Sequence, residues 1–382
     1  MKLIVHVIAG LRDGGAESIL FQLVVNCERY HHIVVSLSDD GKYGALLRKE
    51  GVEVHSLGMP AGRMSISGLW ELFRLIRGYQ PHLVQTWMYH ADLIGGVISR
   101  LAGVRSVSWA IHNTTLDPKR SKKSTIVVAK LCAQASGFIP KAIVCCAQSA
   151  RDVHERLGYK ADKMRVVNNG YDLTAFYPDA NSRRTIRLKL GVLDRTPLIG
   201  MVARFDPQKD HGNLIRALRL LKDAGHVFSC CLVGSGLNLR NAALCREIER
   251  YGLEDNVLLL GQCDDIPALM NALDVHVLSS SFGEAFPNVL CEAMACGTPC
   301  IATAVGDSAL IVGDCGWVVN PEDPVTLAAS IAEALFELGK VEQWKVRQER
   351  ARNRIVDNFS LDKMVREFQN IWSRIGRTDP VC

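Results

Sequence analysis

No apolar run in this 382-residue chain approaches the roughly 18 residues needed to cross a bilayer as a helix. The N-terminal "MKLIVHVIAGLRDGGAE" has too short an apolar stretch for a signal peptide. It contains His6 and runs into Arg12-Asp13-Gly14-Gly15, so it reads as a buried first strand followed by a glycine loop. There is no low-complexity tract, no heptad run and no solenoid repeat, which excludes fibrous and array architectures. The 13 cysteines are odd in number and none forms C-x-x-C. Cys145-Cys146 and Cys230-Cys231 lie in strand-like runs, where neighbouring side chains point to opposite faces. Cys291, Cys296 and Cys300 match no zinc spacing, and the expectation is reduced, buried thiols in a cytosolic protein.

What is present is ordinary globular composition, 48% hydrophobic and 22% charged, with length for two to three domains. The charge is uneven. Residues 1–178 hold 22 Lys/Arg and 14 Asp/Glu, a balance of +8, and residues 179–382 hold 23 and 26, a balance of −3. Two bodies with different surfaces are implied. Short apolar strands ("KLIVHVIA", "HIVVSL", "HLVQTW", "VRSVSWAIH") alternate with helical stretches through the first half. The pattern breaks into a polar link at "NNGYDLTAFYPDANSRRTIR", then restarts with "PLIGMVAR", "VFSCCLVG", "NVLLLG", "DVHVLSS" and "PCIAT". Strands alternating with helices predict parallel sheets covered on both faces, here two doubly wound α/β domains with a cleft between them. The boundaries read 1–178 and 179–360, with a closing helix near 361–375. Ligands in such sheets bind beyond the carboxyl ends of the strands.

Two strand-to-helix junctions in the second half carry the chemistry. In "MVARFDPQKDH", Arg204 ends a strand and Lys209 follows in the loop before a helix. Two cations and free helix N–H groups there suit an anion, with arginine able to grip phosphate bidentately. In "SSSFGEAFPNVLCEAMACGTP", Pro287 suits a first helical position, Glu284 lies in the loop before it and Glu292 more than a turn inside. A carboxylate can accept two hydroxyls of a diol, so Glu292 could hold a ribose and Glu284 a second polyol. Helix capping and an internal hydrogen bond are the alternatives for these two glutamates.

The pair Arg204…Lys209, followed by "GEAFPNVLCEAMACGTPCIATAVGD" with glutamates at E-x7-E spacing, strongly resembles the family 4 glycosyltransferases of the GT-B fold. "GGAES", "AIHN", "VVNNGYDLTAF", "LVGSGL", "LGQCDDI" and "GDCGWVVNPEDP" extend the resemblance over nearly the whole chain. Within the family it is most similar to bacterial transferases that build O-antigens, capsules or exopolysaccharides. The resemblance implies two Rossmann-like domains facing each other across a cleft. The first would take the acceptor, with the C-terminal helix of about 361–382 packed back on it, and the second the nucleotide sugar. It implies retention of anomeric configuration, with Arg204 and Lys209 on the nucleotide diphosphate, Glu292 on the ribose and Glu284 on the transferred sugar. Gly234 and the backbone around Phe286, Pro287, Asn288 and Val289 would line the donor. Alanine stands at 285 where the family usually has glycine, a change that bears on sugar fit.

In the first half, the resemblance turns His112, at the end of "WAIH", from a structural histidine into a donor-sugar contact near the reacting carbon. Gly14 and Gly15 would let backbone approach the donor. His90 and Asp92, in "WMYHADL", fall at another strand-to-helix junction, assigned to the acceptor side. Lys119, Arg120, Lys122 and Lys123 form a basic knot before an apolar helix. It reads as a solvated face or as a contact with anionic membrane, where each cation contributes roughly 1 kcal/mol. The expected place is the cytoplasm, or the inner face of the cytoplasmic membrane. No nucleic-acid motif is present.

The chain has no D-x-D, so a metal-dependent sugar-nucleotide site of that kind lacks its ligands, and no metal or cofactor is expected. "GLRDGGAE" and "GSGLNL" also miss the G-x-G-x-x-G of a nicotinamide enzyme. A UDP-hexose or UDP-N-acetylhexosamine is the expected donor, with GDP-mannose as another, and a glycan or lipid-linked glycan the expected acceptor. A sugar-nucleotide epimerase and an inactive membrane-associated scaffold are the alternative readings.

Overall fold

The computed structural model describes residues 1–60, 65–114, 116 and 122–376. The chain divides into two compact units, Met1–Gly170 with Leu361–Cys382, and Tyr171–Ser360. Residues 171–178, read from sequence as the end of the first domain, group with the second.

The first unit contains β1 (Lys2–Ile8), β2 (Tyr30–Ser36), β3 (Glu53–Ser56), β4 (Leu83–Trp87), β5 (Val107–Ile111), β6 (Ala142–Cys145) and β7 (Met164–Val166). They form one parallel sheet in the order β3-β2-β1-β4-β5-β6-β7. The second contains β8 (Leu198–Val202), β9 (Ser229–Val233), β10 (Val257–Gly261), β11 (Val275–Leu278), β12 (Cys300–Thr303) and β13 (Trp317–Val319). Its order is β10-β9-β8-β11-β12-β13, again parallel throughout. The central strands are buried along their whole length because helices cover both faces, which is why they read as largely apolar runs without polar alternation. Each sheet is a Rossmann-like doubly wound fold. Strand order reverses between β1 and β4 in one and between β8 and β11 in the other, and those are the crevices where such sheets take ligands.

The helix Leu361–Ile375 belongs to the first unit. Its buried face, Leu361, Met364, Val365, Phe368 and Trp372, repeats at helical spacing and joins the core with Ile8, Leu20, Leu23 and Trp87. Burying a side chain of this size contributes about 1.5–3 kcal/mol. Trp372 Nε1 donates to Gln85 Oε1 at 3.0 Å, so the one polar atom brought in by that ring is satisfied.

Three local readings change. The polar link holds a helix, Ala180–Leu190, capped by the Asp179 side chain, which accepts from Asn181 N, and closed at Gly191, φ +67°. Its buried Arg187 and half-exposed Arg183 both bond Asp274, so arginines that read as linker polarity are interior ties. The helices Pro324–Leu338 and Val341–Asn358 complete the second unit beyond the alternation traced above. Pro287 is the N-cap and not the first helical residue. Its backbone is extended (φ −72°, ψ 104°), and the helix runs Asn288–Ala295.

Candidate active site

The reversal of strand order between β8 and β11 brings two loops together. After β8, Arg204 and Asp206 precede one tight turn, Pro207–Lys209, whose start is capped when the Asp206 side chain accepts from Gln208 N at 2.9 Å. After β11 comes Ser279-Ser280-Ser281, then Gly283 (φ +78°) and Glu284. Ser279 Oγ donates to the carbonyls of Lys209 and Asp210, both at 3.0 Å, and Ser281 N donates to Gln208 O at 2.9 Å. These bonds tie one loop to the other and fix where Lys209 stands.

Lys209 Nζ meets Glu284 Oε1 at 2.5 Å, with the two side chains 13% and 7% exposed. Ser280 Oγ donates to the same carboxylate at 2.6 Å. The loop carrying Glu284 is braced from behind by Gly306. A Cβ there would come within 2.2 Å of Glu284 O, and φ is +60°, so glycine alone fits. Asp307 N donates to Ala285 O at 2.9 Å. Arg204 is largely exposed and aimed by two neighbours, its Nε donating to Asp206 at 3.1 Å and its Nη2 to Gln208 at 3.4 Å. Gly234, at the end of β9, has φ +145°, and a Cβ would sit 2.1 Å from Ala203 O, against the strand end that bears Arg204. Two histidines lie behind Lys209. Burial lowers His211 to about 4 and His276 to about 3, with Lys209 adding to both, so both rings are neutral.

The helix Asn288–Ala295 begins beside this pair. Phe286 packs edge-on against Phe359 at 5.3 Å, and Asn288 Oδ1 accepts from Tyr171 Oη at 2.7 Å, which holds the first turn. One turn in stands Glu292. It is partly buried, and burial raises its carboxyl from 4.5 to about 7. Among the described residues nothing donates to or pairs with its side-chain oxygens. The arrangement therefore offers two cations and a helix N-terminus for an anion, one carboxylate already held by lysine and serine, and one with its acceptor capacity unused.

The first unit holds the remaining predicted residues. The ring of His112 stacks on Trp87, centroids 5.3 Å apart and planes 26° apart. Its Nε2 is buried without a hydrogen-bond partner, and burial lowers its pKa to about 4. Gly14 is the N-cap of the helix Gly15–Val25 in ordinary extended backbone, and a Cβ on it would crowd the Glu17 carboxylate at 2.3 Å. His90 is half-buried, and burial lowers its pKa. Asp92, assigned from sequence to the acceptor side, lies inside the first unit. It is fully buried, accepts from Thr86 Oγ1 at 2.5 Å, and burial raises its pKa well above the ordinary carboxylate range. Lys122 and Lys123 are exposed at the start of the helix Lys123–Ala135, while Lys119 and Arg120 lie outside the described residues.

Sequence reasoning missed the Lys209–Glu284 pair, Ser280 as its third member, the Gly306-Asp307 brace and Glu17. The first three come from residues up to about 100 positions apart in sequence and leave no local pattern. The "GGAES" run did contain Glu17.

Residues 13–175 match the model for glycosyltransferase family 4, and residues 182–353 that for glycosyl transferases group 1. The chain is 26% identical over 316 residues to an Escherichia coli UDP-Gal:alpha-D-GlcNAc-diphosphoundecaprenol alpha-1,3-galactosyltransferase, covering 80% of this chain and 79% of that one. It is 31% identical over 239 residues to a D-inositol 3-phosphate glycosyltransferase of Salinispora tropica, covering 58% and 48%. Its fold matches Anabaena Alr3699/HepE, solved in complex with UDP-glucose, with a TM-score of 0.85 over 98% of this chain and 100% of that one, at 21% identity.

Proposed function

Because the chain belongs to the family 4 glycosyltransferases and is an enzyme of that class, we propose that it moves a hexose or N-acetylhexosamine from a UDP-sugar to a glycan or lipid-linked glycan in bacterial surface-polysaccharide synthesis, with retention at the anomeric carbon. The observation that carries this reading is Glu292. A partly buried carboxylate with no internal donor, one turn inside a helix that begins four residues after the lysine-bound Glu284, is costly unless a ligand completes it. A vicinal diol next to a diphosphate does so, and a nucleotide sugar carries both. The names of the E. coli relative and of the UDP-glucose complex point to the same donor class.

The chemistry follows from these assignments. The bond between the anomeric carbon and the diphosphate oxygen breaks, and negative charge gathers on the leaving group. Arg204, the two ammonium protons of Lys209 not given to Glu284, and the amides at the start of Asn288–Ala295 meet that charge with groups already in place. Glu284, fixed by Lys209 and Ser280, holds hydroxyls of the transferred sugar. On the first unit, His112 presents a neutral imidazole whose Nε2 is left without a partner. The acceptor oxygen bonds to the anomeric carbon on the face the diphosphate leaves, and its proton passes to a diphosphate oxygen. No protein base and no divalent ion is assigned a step.

A panel of nucleotide sugars scored by thermal shift tests the reading. A donor at 100 times its Kd stabilises by about 2.7 kcal/mol. Stabilisation by UDP-sugars, and transfer with an unchanged anomeric configuration by NMR of the product, is expected. A chain stabilised by no nucleotide sugar would contradict it.

A further inference from the structure

The first unit contains a cavity of about 470 Å³ lined without Arg204, Lys209, Glu284 or Glu292. It lies beyond the carboxyl ends of β1, β2, β3 and β4, at the reversal of strand order in that sheet, and its size is that of a small-molecule site. Its walls are aliphatic, with Leu37, Met59, Leu93, Ile94, Val128 and Leu131. Arg12, Glu17, His90, Ser38 and Ser124 supply its polar side chains. A polyol pocket would need the reverse proportion.

The helix that supplies Val128 and Leu131 carries the second observation. Val127 and Leu131 are 55% and 45% exposed, and Phe138 just past its end is 83% exposed. Lys122, Lys123 and Lys130 are exposed on the same segment. Apolar side chains set among cations on the helix that walls an aliphatic cavity fit an anionic amphiphile, chain inward and charged group at the lysines and Arg12.

We propose that this cavity binds the aliphatic chain of a single lipid phosphate or diphosphate, the carrier of the acceptor sugar, with Arg12 on the phosphate and Glu17 and His90 free to hydrogen-bond the sugar it bears. Arg12 is 76% exposed and paired with Asp39 at 2.7 Å, so it can share its guanidinium with an arriving phosphate. The inference rests on the lipid-linked acceptor in the reading above and names where its chain goes.

Calorimetric titration of the full chain with linear alkyl phosphates of six to fourteen carbons tests it, with inorganic phosphate and neutral alkyl glucosides alongside. A bounded aliphatic cavity gives affinity rising about fourfold per methylene and then a plateau when the cavity is full. Leu131→Asp, at a half-exposed position where folding is safe, and Ile94→Trp, which fills the cavity, each weaken binding tenfold or more. The UDP melting shift, which reports the second unit, stays as in the wild type for both. Absence of saturable binding, affinity that climbs with no plateau, or variants that bind as the wild type does would overturn the proposal. So would displacement of the alkyl phosphate by phosphatidylglycerol vesicles, which would make bulk membrane the occupant. Loss of the UDP shift with alkyl phosphate binding intact would count against the donor reading and leave this one standing.

Discussion

Replacing Glu292 by glutamine should make the protein more stable and worse at its task. The carboxyl is held at about 7 against an ordinary 4.5 because it is surrounded by protein and has no compensating donor. A folded-state pKa above the unfolded value favours the protonated fold. Its contribution is complete below pH 4.5, is lost as pH rises through 7, and is absent at pH 8. A rise from 4.5 to about 7 corresponds to roughly 3.4 kcal/mol, and partial exposure reduces this to about 1–3 kcal/mol. Glutamine keeps the shape without the charge. At pH 8, Glu292→Gln is expected to raise the unfolding midpoint by a few degrees, and at pH 4.5 to leave it unchanged. The same change removes charge-assisted hydrogen bonds to the ribose, each worth about 1.5–3 kcal/mol. UDP affinity should fall on the order of 13- to 160-fold for each such bond lost, by calorimetry. A variant no more stable than wild type at pH 8 would refute the buried-charge argument, and one that binds UDP normally would refute the ribose assignment.

Other changes separate structure from chemistry. Lys209→Ala strands Glu284 in a buried site, at a cost of about 3–5 kcal/mol. Lys209→Met with Glu284→Gln should recover most of that stability in denaturant melts but no transfer activity. His112→Phe keeps a ring against Trp87 and should change stability by under about 1 kcal/mol while lowering turnover. His112 and His32 are both lowered to about 4, so the stability they contribute is complete above pH 6.5 and lost as pH falls through 4. Melting curves from pH 7 to 4 should show this loss, more shallowly in His112→Phe. Gly234→Ala drives a Cβ into Ala203 O at φ +145° and should cost at least about 1–3 kcal/mol and weaken UDP binding, read by thermal shift with and without nucleotide.

The two parallel sheets were legible because strands buried on both faces leave continuous apolar runs, and the closing helix because Leu361, Met364, Val365, Phe368 and Trp372 keep one face. Arg204, Lys209 and Glu284 stood out as candidates because they follow strand ends, where such folds place ligands, and Glu292 because it lies in the helix that comes next. Glu284 and Lys209 read as separate groups, one for sugar and one for phosphate. Their contact depends on β8 and β11 being neighbours, which strand order decides and local pattern does not record. Asp92 read as an acceptor contact from its junction position, but Thr86 takes its carboxyl inward. Pro287 read as a first helical residue by propensity, and the chain uses its extended backbone one position earlier.

Amide hydrogen exchange with and without UDP, in the presence of a chelator, tests most directly where the diphosphate is held. The account predicts protection of amides in 204–211 and at the start of the helix Asn288–Ala295, undiminished by the chelator. Protection confined to other segments, or appearing only when a divalent cation is restored, would contradict it.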